Sequence, residues 1–302
     1  MGEFTLVIST GGTIACTTDV RGALVPTLSA EELVRRSATD LPVRTFDAVS
    51  LDSSSVGFAE LDSLRSLVTR ALHDDSVSSI VITHGTDSLA ETALALDLVH
   101  DDPRPVVLTG AMLPADAAAP DGPENLRRAI AAAADRLHRG QGVLVHFGGE
   151  TFPARGLLKT HTSELHPFTL ASGRPLPRPA AVPAAPLEGL RIPILRAWAG
   201  ADGDLVSAVA KQMPDGLVVE ALGAGNVSAA MGEALAPLVR EIPVVVATSV
   251  PYGEVVFSYG GAGGGASLGD LGAIPAGFLR AGQARIALAT ALSSGVDPRL
   301  LF

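Results

Sequence analysis

Between Phe4 and Phe147 the chain repeats one pattern: a short β-prone apolar run, a turn, then apolar residues at helical spacing. The runs are Phe4 to Ile8, Arg44 to Leu51, Ile80 to Ile82, Val106 to Leu108 and Gly142 to Phe147. Between them, one helix is predicted to open at Ser29-Ala30-Glu31-Glu32, and a second pattern runs through Leu61, Leu64, Leu67, Val68 and Leu72. A third places Leu89, Ala93 and Leu96 on one face, and a fourth carries Leu126, Ile130, Ala134 and Leu137 after Asp121-Gly122-Pro123. Two of these helices begin with the Ser-x-x-Glu spacing of a capping box, at Ser29 to Glu32 and at Ser88 to Glu91. A helix between two strands is a crossover long enough for parallel pairing, so the repeat predicts an α/β fold with a doubly wound, mainly parallel sheet.

The pattern breaks at Arg174 to Pro186, RPLPRPAAVPAAP, where proline removes the donors that a helix or central strand needs. We therefore expect a larger N-terminal α/β domain over 1–173, a proline-rich linker over 174–188 and a smaller C-terminal α/β domain over 189–302. In the smaller domain Arg191 to Leu195, Gly216 to Leu222 and Pro243 to Ser249 are the strand candidates. Helical patterns run from Leu205 to Met213, from Ala229 to Val239 and, terminally, from Ala281 to Leu292. The glycines from Gly260 to Gly265 predict a flexible loop.

Composition narrows the function classes. With 302 residues, 47% of them hydrophobic, the chain has enough apolar side chains for well-filled cores. A net charge of -10 without a block of basic residues argues against a nucleic-acid partner. Cys16, the single cysteine, excludes an intrachain disulfide and a cysteine-clustered zinc site. His161 and His166 lack metal-ligand spacing, so no metal is expected. No charge-free apolar run is long enough for a membrane span, and Met1-Gly2-Glu3-Phe4 does not open like a secretory leader. The expected compartment is the cytoplasm, without a membrane partner.

Two segments at strand ends carry hydroxyls: Ser9-Thr10-Gly11-Gly12-Thr13-Ile14-Ala15, and Thr83-His84-Gly85-Thr86-Asp87-Ser88. The carboxyl ends of strands in such a sheet face the ligand crevice, so Thr13 and Thr86 can flank one small molecule. A hydroxyl beside a carboxylate, as at Thr86 and Asp87, needs only a proton acceptor to yield an attacking oxygen. Lys159 is the candidate acceptor, because apolar neighbours in Gly156-Leu157-Leu158-Lys159 would desolvate the amine and favour its neutral form. Each residue also has a plainer reading, Thr13 as a turn residue and Lys159 as a surface lysine. The glycines match neither a P-loop nor a dinucleotide fingerprint. His84 reads as structural and Cys16 as a packed thiol.

Together the segments resemble the bacterial-type L-asparaginase family, which includes glutaminase-asparaginases and the amidase subunit of an archaeal tRNA-dependent amidotransferase. Thr10 to Ala15, T-G-G-T-I-A, and His84 to Ala93, H-G-T-D-S-x-x-E-T-A, are similar to its two signatures. Gly110-Ala111-Met112 with Asp121-Gly122-Pro123, then Lys159-Thr160, then Gly223-Ala224-Gly225-Asn226 follow in order. The resemblance implies a two-domain α/β fold, a homo-oligomer (tetramer or dimer), no cofactor, and hydrolysis of the side-chain amide of a small amino acid. By the same resemblance Thr13 is the nucleophile, giving a β-aspartyl ester, while Thr86, Asp87 and Lys159 form the second catalytic constellation. Substrate binding would fall to Gly12, Ser53, Ser54, Asp87 and Asn226. Asp87 would take the α-ammonium and Ser53 the α-carboxylate, and Asn226 would reach a neighbouring subunit's site.

The sequence departs from the usual family pattern at the loop tyrosine and at Ser55. Arg21 to Pro26 lacks the tyrosine that usually partners the nucleophile, and Tyr252 and Tyr259 lie far along the chain. Ser55 replaces a usual acidic residue, and Ser54 stands where many cytoplasmic relatives also have serine. Glu254 is the nearest candidate for the glutamate that some relatives contribute from an adjacent subunit. Two alternatives stay open: a broader amidohydrolase acting on glutamine, D-amino acids or small peptides, and a silent sensor of aspartate or asparagine.

Overall fold

The computed structural model describes residues 2–48 and 52–302. The chain divides into two compact units, 1–169 and 170–302.

The first unit begins with β1 (Phe4–Ser9), a hairpin of β2 (Cys16–Thr18) and β3 (Leu24–Pro26), α1 (Ala30–Ser37) and β4 (Val43–Asp47). It continues with α2 (Phe58–Ala71), β5 (Val77–Thr83), α3 (Leu89–Asp97), β6 (Val106–Thr109) and α4 (Gly122–Ala134). β7 (Val143–Phe147), β8 (Glu150–Pro153) and β9 (Leu157–Lys159) follow, and β10 (Phe168–Leu170), where the unit ends, pairs with β9.

Its main sheet runs β4-β1-β5-β6-β7-β8 and is parallel except for β8, which returns antiparallel along β7. The chain adds β4 on one side of β1 and β5 on the other, so β1 and β5 bound the switch point of the winding. In sheets wound this way, ligands bind outside the carboxyl ends of the strands at that point. The strands read as continuous apolar runs because both faces are covered: Val7, Val81 and Val107 pack with Ile14, Leu126 and Ile130. Alternation turns Ile8, Ile80, Ile82 and Leu108 to the other face, where they are also fully buried.

Several expectations need correction. α1 carries its capping box as predicted, Glu32 N donating to Ser29 Oγ and Ser29 N to the Glu32 carboxylate. The strand expected over Arg44 to Leu51 ends at Asp47; residues 49–51 lie outside the described residues. α4 stops at Ala134, and Leu137, expected on its apolar face, is largely exposed. The β2–β3 hairpin was not foreseen, because Cys16-Thr17-Thr18 and Leu24-Val25-Pro26 are too short for an alternation signal.

The second unit contains β11 (Ile194–Arg196), α5 (Asp204–Ala210), β12 (Leu217–Ala221), α6 (Ala229–Glu241) and β13 (Val244–Thr248). α7 (Gly265–Asp270), β14 (Ile274–Pro275) and α8 (Ala281–Ser294) complete it. Its four strands are parallel in the order β11-β12-β13-β14. Leu217, Val219, Leu235 and Val246 centre its core. Residues 174–188 form neither helix nor strand, yet Leu187 within them is fully buried. The glycine run divides: Gly260 and Gly261 have open space around them, whereas a Cβ on Gly263 would collide with the Val227 and Ser228 carbonyls and Gly265 already begins α7, so the loop expected over the whole run is confined to its first part.

Candidate active site

The two strand-end segments meet backbone to backbone. Thr10, just past β1, donates both its N–H (3.1 Å) and its hydroxyl (2.9 Å) to the carbonyl of Thr83, the last residue of β5. Gly12 then lies so close to the second segment that a Cβ on it would sit 2.5 Å from Gly85 N and 2.6 Å from Gly85 Cα. Its φ of +85° is also one that side chains disfavour. Thr13 and Thr86 each follow this contact by one residue.

Thr13 starts a three-residue 3-10 turn, Thr13–Ala15, anchored by the residues after it. Ile14 is buried against the start of α4, where a Cβ on Gly122 would lie 2.7 Å from Ile14 Cγ1. The Ala15 carbonyl accepts from Thr27 N (2.9 Å) and Leu28 N (3.1 Å). The Thr13 side chain itself is half-buried, and its hydroxyl makes no hydrogen bond among the described residues. Nearby, Cys16 Sγ donates to the Gly12 carbonyl at 3.3 Å. Burial, and then the negative charge of Asp52, push its thiol pKa up, so the sulfur is a packed thiol and not an activated one.

The second segment is wired through side chains. His84 is buried; its Nδ1–H faces the Gly85 carbonyl at 2.7 Å, which leaves Nε2 to accept from the Thr92 hydroxyl at 3.2 Å. That pairing assigns a neutral tautomer, and burial lowers the ring's pKa in agreement. Lys159, at the end of β9, crosses to this loop and donates from Nζ to Thr86 Oγ1 (2.8 Å) and Asp87 Oδ1 (2.9 Å). The desolvating apolar surroundings expected for the amine are thus replaced by a hydroxyl and a carboxylate. Thr86 is buried and Asp87 exposed, so the pair presents an acceptor to solvent with a shielded hydroxyl behind it.

Ser53 joins the group from a 3-10 turn, Ser53–Ser55, whose N-cap Asp52 accepts from Ser54 N (3.1 Å) and Ser54 Oγ (2.9 Å). Ser53 is buried with its side chain against Gly85, where an added Cβ would stand 2.6 Å from Ser53 Cβ. Ser54 is exposed. Gly12, Gly85 and Ser53 therefore pack in succession, and the structure brings Gly12, Thr13, Ser53, Ser54, Thr86, Asp87 and Lys159 onto three adjoining loops and one strand end.

The capping box expected at Ser88 to Glu91 does not form. Ser88 occupies the N-cap of α3 without capping it, and its hydroxyl donates to the Ser53 carbonyl at 2.6 Å instead. The Gly110 to Met112 and Asp121 to Pro123 segments are scaffolding. The Asp121 carboxylate accepts from Met112 N and Leu113 N, both at 2.9 Å. Asn125 Nδ2 donates to the Gly110 carbonyl at 3.1 Å, and Gly110 packs on the His84 carbonyl. In the sequence Asp121 stands only as part of a spacing and not as the holder of a loop, and Asn125 carries no local signal at all.

Asn226 lies in the second unit. There it closes a tight turn with Leu222, and its Oδ1 accepts from Gly265 N at 3.3 Å. Tyr252, Glu254 and Tyr259 are exposed in the same unit. Among the described residues no group of three or more His, Cys, Asp or Glu side chains is placed to hold a metal ion. Nor is any helix long and apolar enough to cross a membrane.

Known proteins match over nearly the full length. Residues 5–181 fit the family model "Asparaginase, N-terminal", and residues 191–301 fit "Glutaminase/Asparaginase C-terminal domain". A protein of Deinococcus radiodurans named "Probable L-asparaginase" is 38% identical, covering 96% of this chain and 93% of its own. An "L-asparaginase" of Bacillus licheniformis is 30% identical, covering 97% of each. Among solved structures, "Probable Cytoplasmic L-asparaginase from Campylobacter jejuni" superposes with a TM-score of 0.83 at 25% identity, covering 99% of this chain and 98% of that one.

Proposed function

The chain belongs to the asparaginase family, and from that premise we propose that it hydrolyses the side-chain amide of L-asparagine to L-aspartate and ammonia with Thr13 as nucleophile. The observation that carries the reading is the Lys159–Thr86–Asp87 cluster, set one residue beyond the point where Gly12 meets Gly85.

Thr13 Oγ attacks the amide carbon, its proton passes to the departing nitrogen, and backbone N–H groups of the first segment hold the developing oxyanion. Ammonia leaves and a β-aspartyl ester remains on Thr13. In the second step Thr86 Oγ1 takes a proton from water as its own hydroxyl proton passes to the unprotonated Lys159 amine 2.8 Å away; the hydroxide so formed attacks the ester, and the proton returns to the Thr13 oxygen as the ester bond breaks. The substrate is an amino-acid zwitterion. Asp87 holds its ammonium and Ser53 its carboxylate, with Gly12 and Ser54 alongside, and opposite charges at a set separation orient so small a molecule.

The working assembly in this reading is a homo-oligomer, a dimer or tetramer, in which Asn226 of one copy serves the site of another. Its compartment is the cytoplasm, by likeness to the Campylobacter jejuni protein's name and by the lone cysteine.

Ammonia release by purified protein from L-asparagine, with L-glutamine and Thr13→Ala in parallel, tests the reading. Release that vanishes in the variant supports enzyme and nucleophile together. Full activity in Thr13→Ala overturns the mechanism. Silence with every amide, together with thermal stabilisation by L-aspartate, would favour the sensor, for which the absence of a tyrosine between Arg21 and Pro26 is the motivating feature.

A further inference from the structure

Ser88 breaks a local rule. A serine at a helix N-cap ordinarily sits in extended backbone and accepts an N–H from the first turn. Here its φ and ψ are -121° and 17°, and no side-chain cap bond forms. The hydroxyl instead donates across 35 residues of chain to the Ser53 carbonyl, at 2.6 Å. A helix start that forgoes its own cap for a remote carbonyl marks a site where local preference has yielded to something else.

That carbonyl belongs to the residue that packs on Gly85, so the Ser53 turn is gripped at two points. Its side chain rests on the Gly85 backbone, and its carbonyl is tied to Ser88. Ser88 also directly follows Asp87. One hydrogen bond thus links the turn carrying Asp87 to the turn carrying Ser53. These are the two groups assigned above to the opposite ends of the substrate's backbone.

We propose that Ser88 is a positioning residue that sets the Asp87-to-Ser53 spacing and so selects substrates with both an α-ammonium and an α-carboxylate. The proposal rests on the substrate-binding roles given under Proposed function. Ser88 touches neither substrate nor reacting atoms in this account; it acts through Ser53.

The test is steady-state kinetics of wild type, Ser88→Ala and Ser88→Thr with L-asparagine and with its α-methyl ester, which keeps the ammonium and loses the carboxylate charge. Losing one hydrogen bond that holds a charge-binding group predicts a KM for L-asparagine about 10-fold higher in Ser88→Ala, with kcat within about 3-fold. KM for the ester should barely move, and Ser88→Thr, which keeps the hydroxyl, should restore wild-type values. An unchanged KM for L-asparagine in Ser88→Ala overturns the proposal. So does an equal rise for both substrates, or a fall in kcat alone. Should Ser88→Ala melt well below wild type, the Ser88→Thr rescue and the ratio of the two substrates at a temperature where both proteins are folded still decide. Wild-type inactivity on L-asparagine would instead count against the parent reading.

Discussion

The two loops that meet at Gly12 and Gly85 are built on opposite plans. The first, Gly11 to Ala15, is held by main-chain contacts and by the burial of Ile14, while the Thr13 hydroxyl has no partner among the described residues. The second, His84 to Ser88, spends nearly every side chain on a hydrogen bond: His84 to Thr92, Thr86 and Asp87 to Lys159, Ser88 to Ser53. A loop fixed by its backbone can leave one side chain uncommitted for attack. A loop fixed by its side chains presents preorganised dipoles that need not reorient during reaction.

Removing the Thr13 hydroxyl should break the comparison most sharply. Thr13→Ala is expected to lose activity by about a thousandfold or more while its melting temperature stays within about 2 °C of wild type, because the hydroxyl makes no hydrogen bond among the described residues. Paired assays of ammonia release and thermal unfolding check both halves. A large fall in melting temperature would mean that Thr13 is structural after all.

In the second loop the proposed role rests on the wiring. Lys159→Met should cut kcat about 100-fold or more by leaving Thr86 without its proton partner. Thr86→Val should do the same, and the double variant should be little worse than either single one, since both remove one unit. Additive losses in that cycle would show two independent roles.

The contact between the loops is next. Gly12→Ala places a Cβ against the Gly85 backbone at a φ of +85°, so it should destabilise by about 2–4 kcal/mol and lower the melting temperature by at least about 5 °C. Urea or thermal unfolding measures it, and a neutral result would mean that the loops are not pressed together.

The smallest effect is in pH. Burial lowers the pKa of His84, and burial followed by the charge of Arg128 lowers that of His146 to about 4. Unfolded, each returns toward 6.5, so below that value the unfolded chain binds more protons than the native one, for His146 down to about 4. Stability from the neutral rings is therefore complete above pH 6.5 and declines as pH falls toward 4. Urea midpoints across that range should fall with acidity, less steeply in His146→Gln. Because His84 belongs to the side-chain-held loop, acid should loosen that loop first, readable as earlier amide exchange at Gly85 and Thr86 than at Thr13.

Much of this architecture was present as local pattern. The apolar runs became β1, β5, β6 and β7, the Ser29 box capped α1, and Thr13, Thr86 and Lys159 stood out by type and context. The β2–β3 hairpin and the β8 return were not visible, because strands of three or four residues with mixed polarity carry no period. Ser88 was misassigned for an instructive reason: its neighbours in sequence fit a cap, and only a remote carbonyl outbids them.

By itself, then, the sequence determined what is encoded within a dozen residues: hydrophobic periodicity, the turn glycines after β1 and the chemically capable side chains. Tertiary structure alone decided which of those side chains share a site. Lys159 lies 72 residues from Asp87, and Ser53 lies 35 from Ser88. No local preference can choose a partner at such separations. Closing those loops carries an entropic penalty that one hydrogen bond cannot offset, and the burial of the whole sheet core does. The pairings at the site are therefore consequences of the packed core.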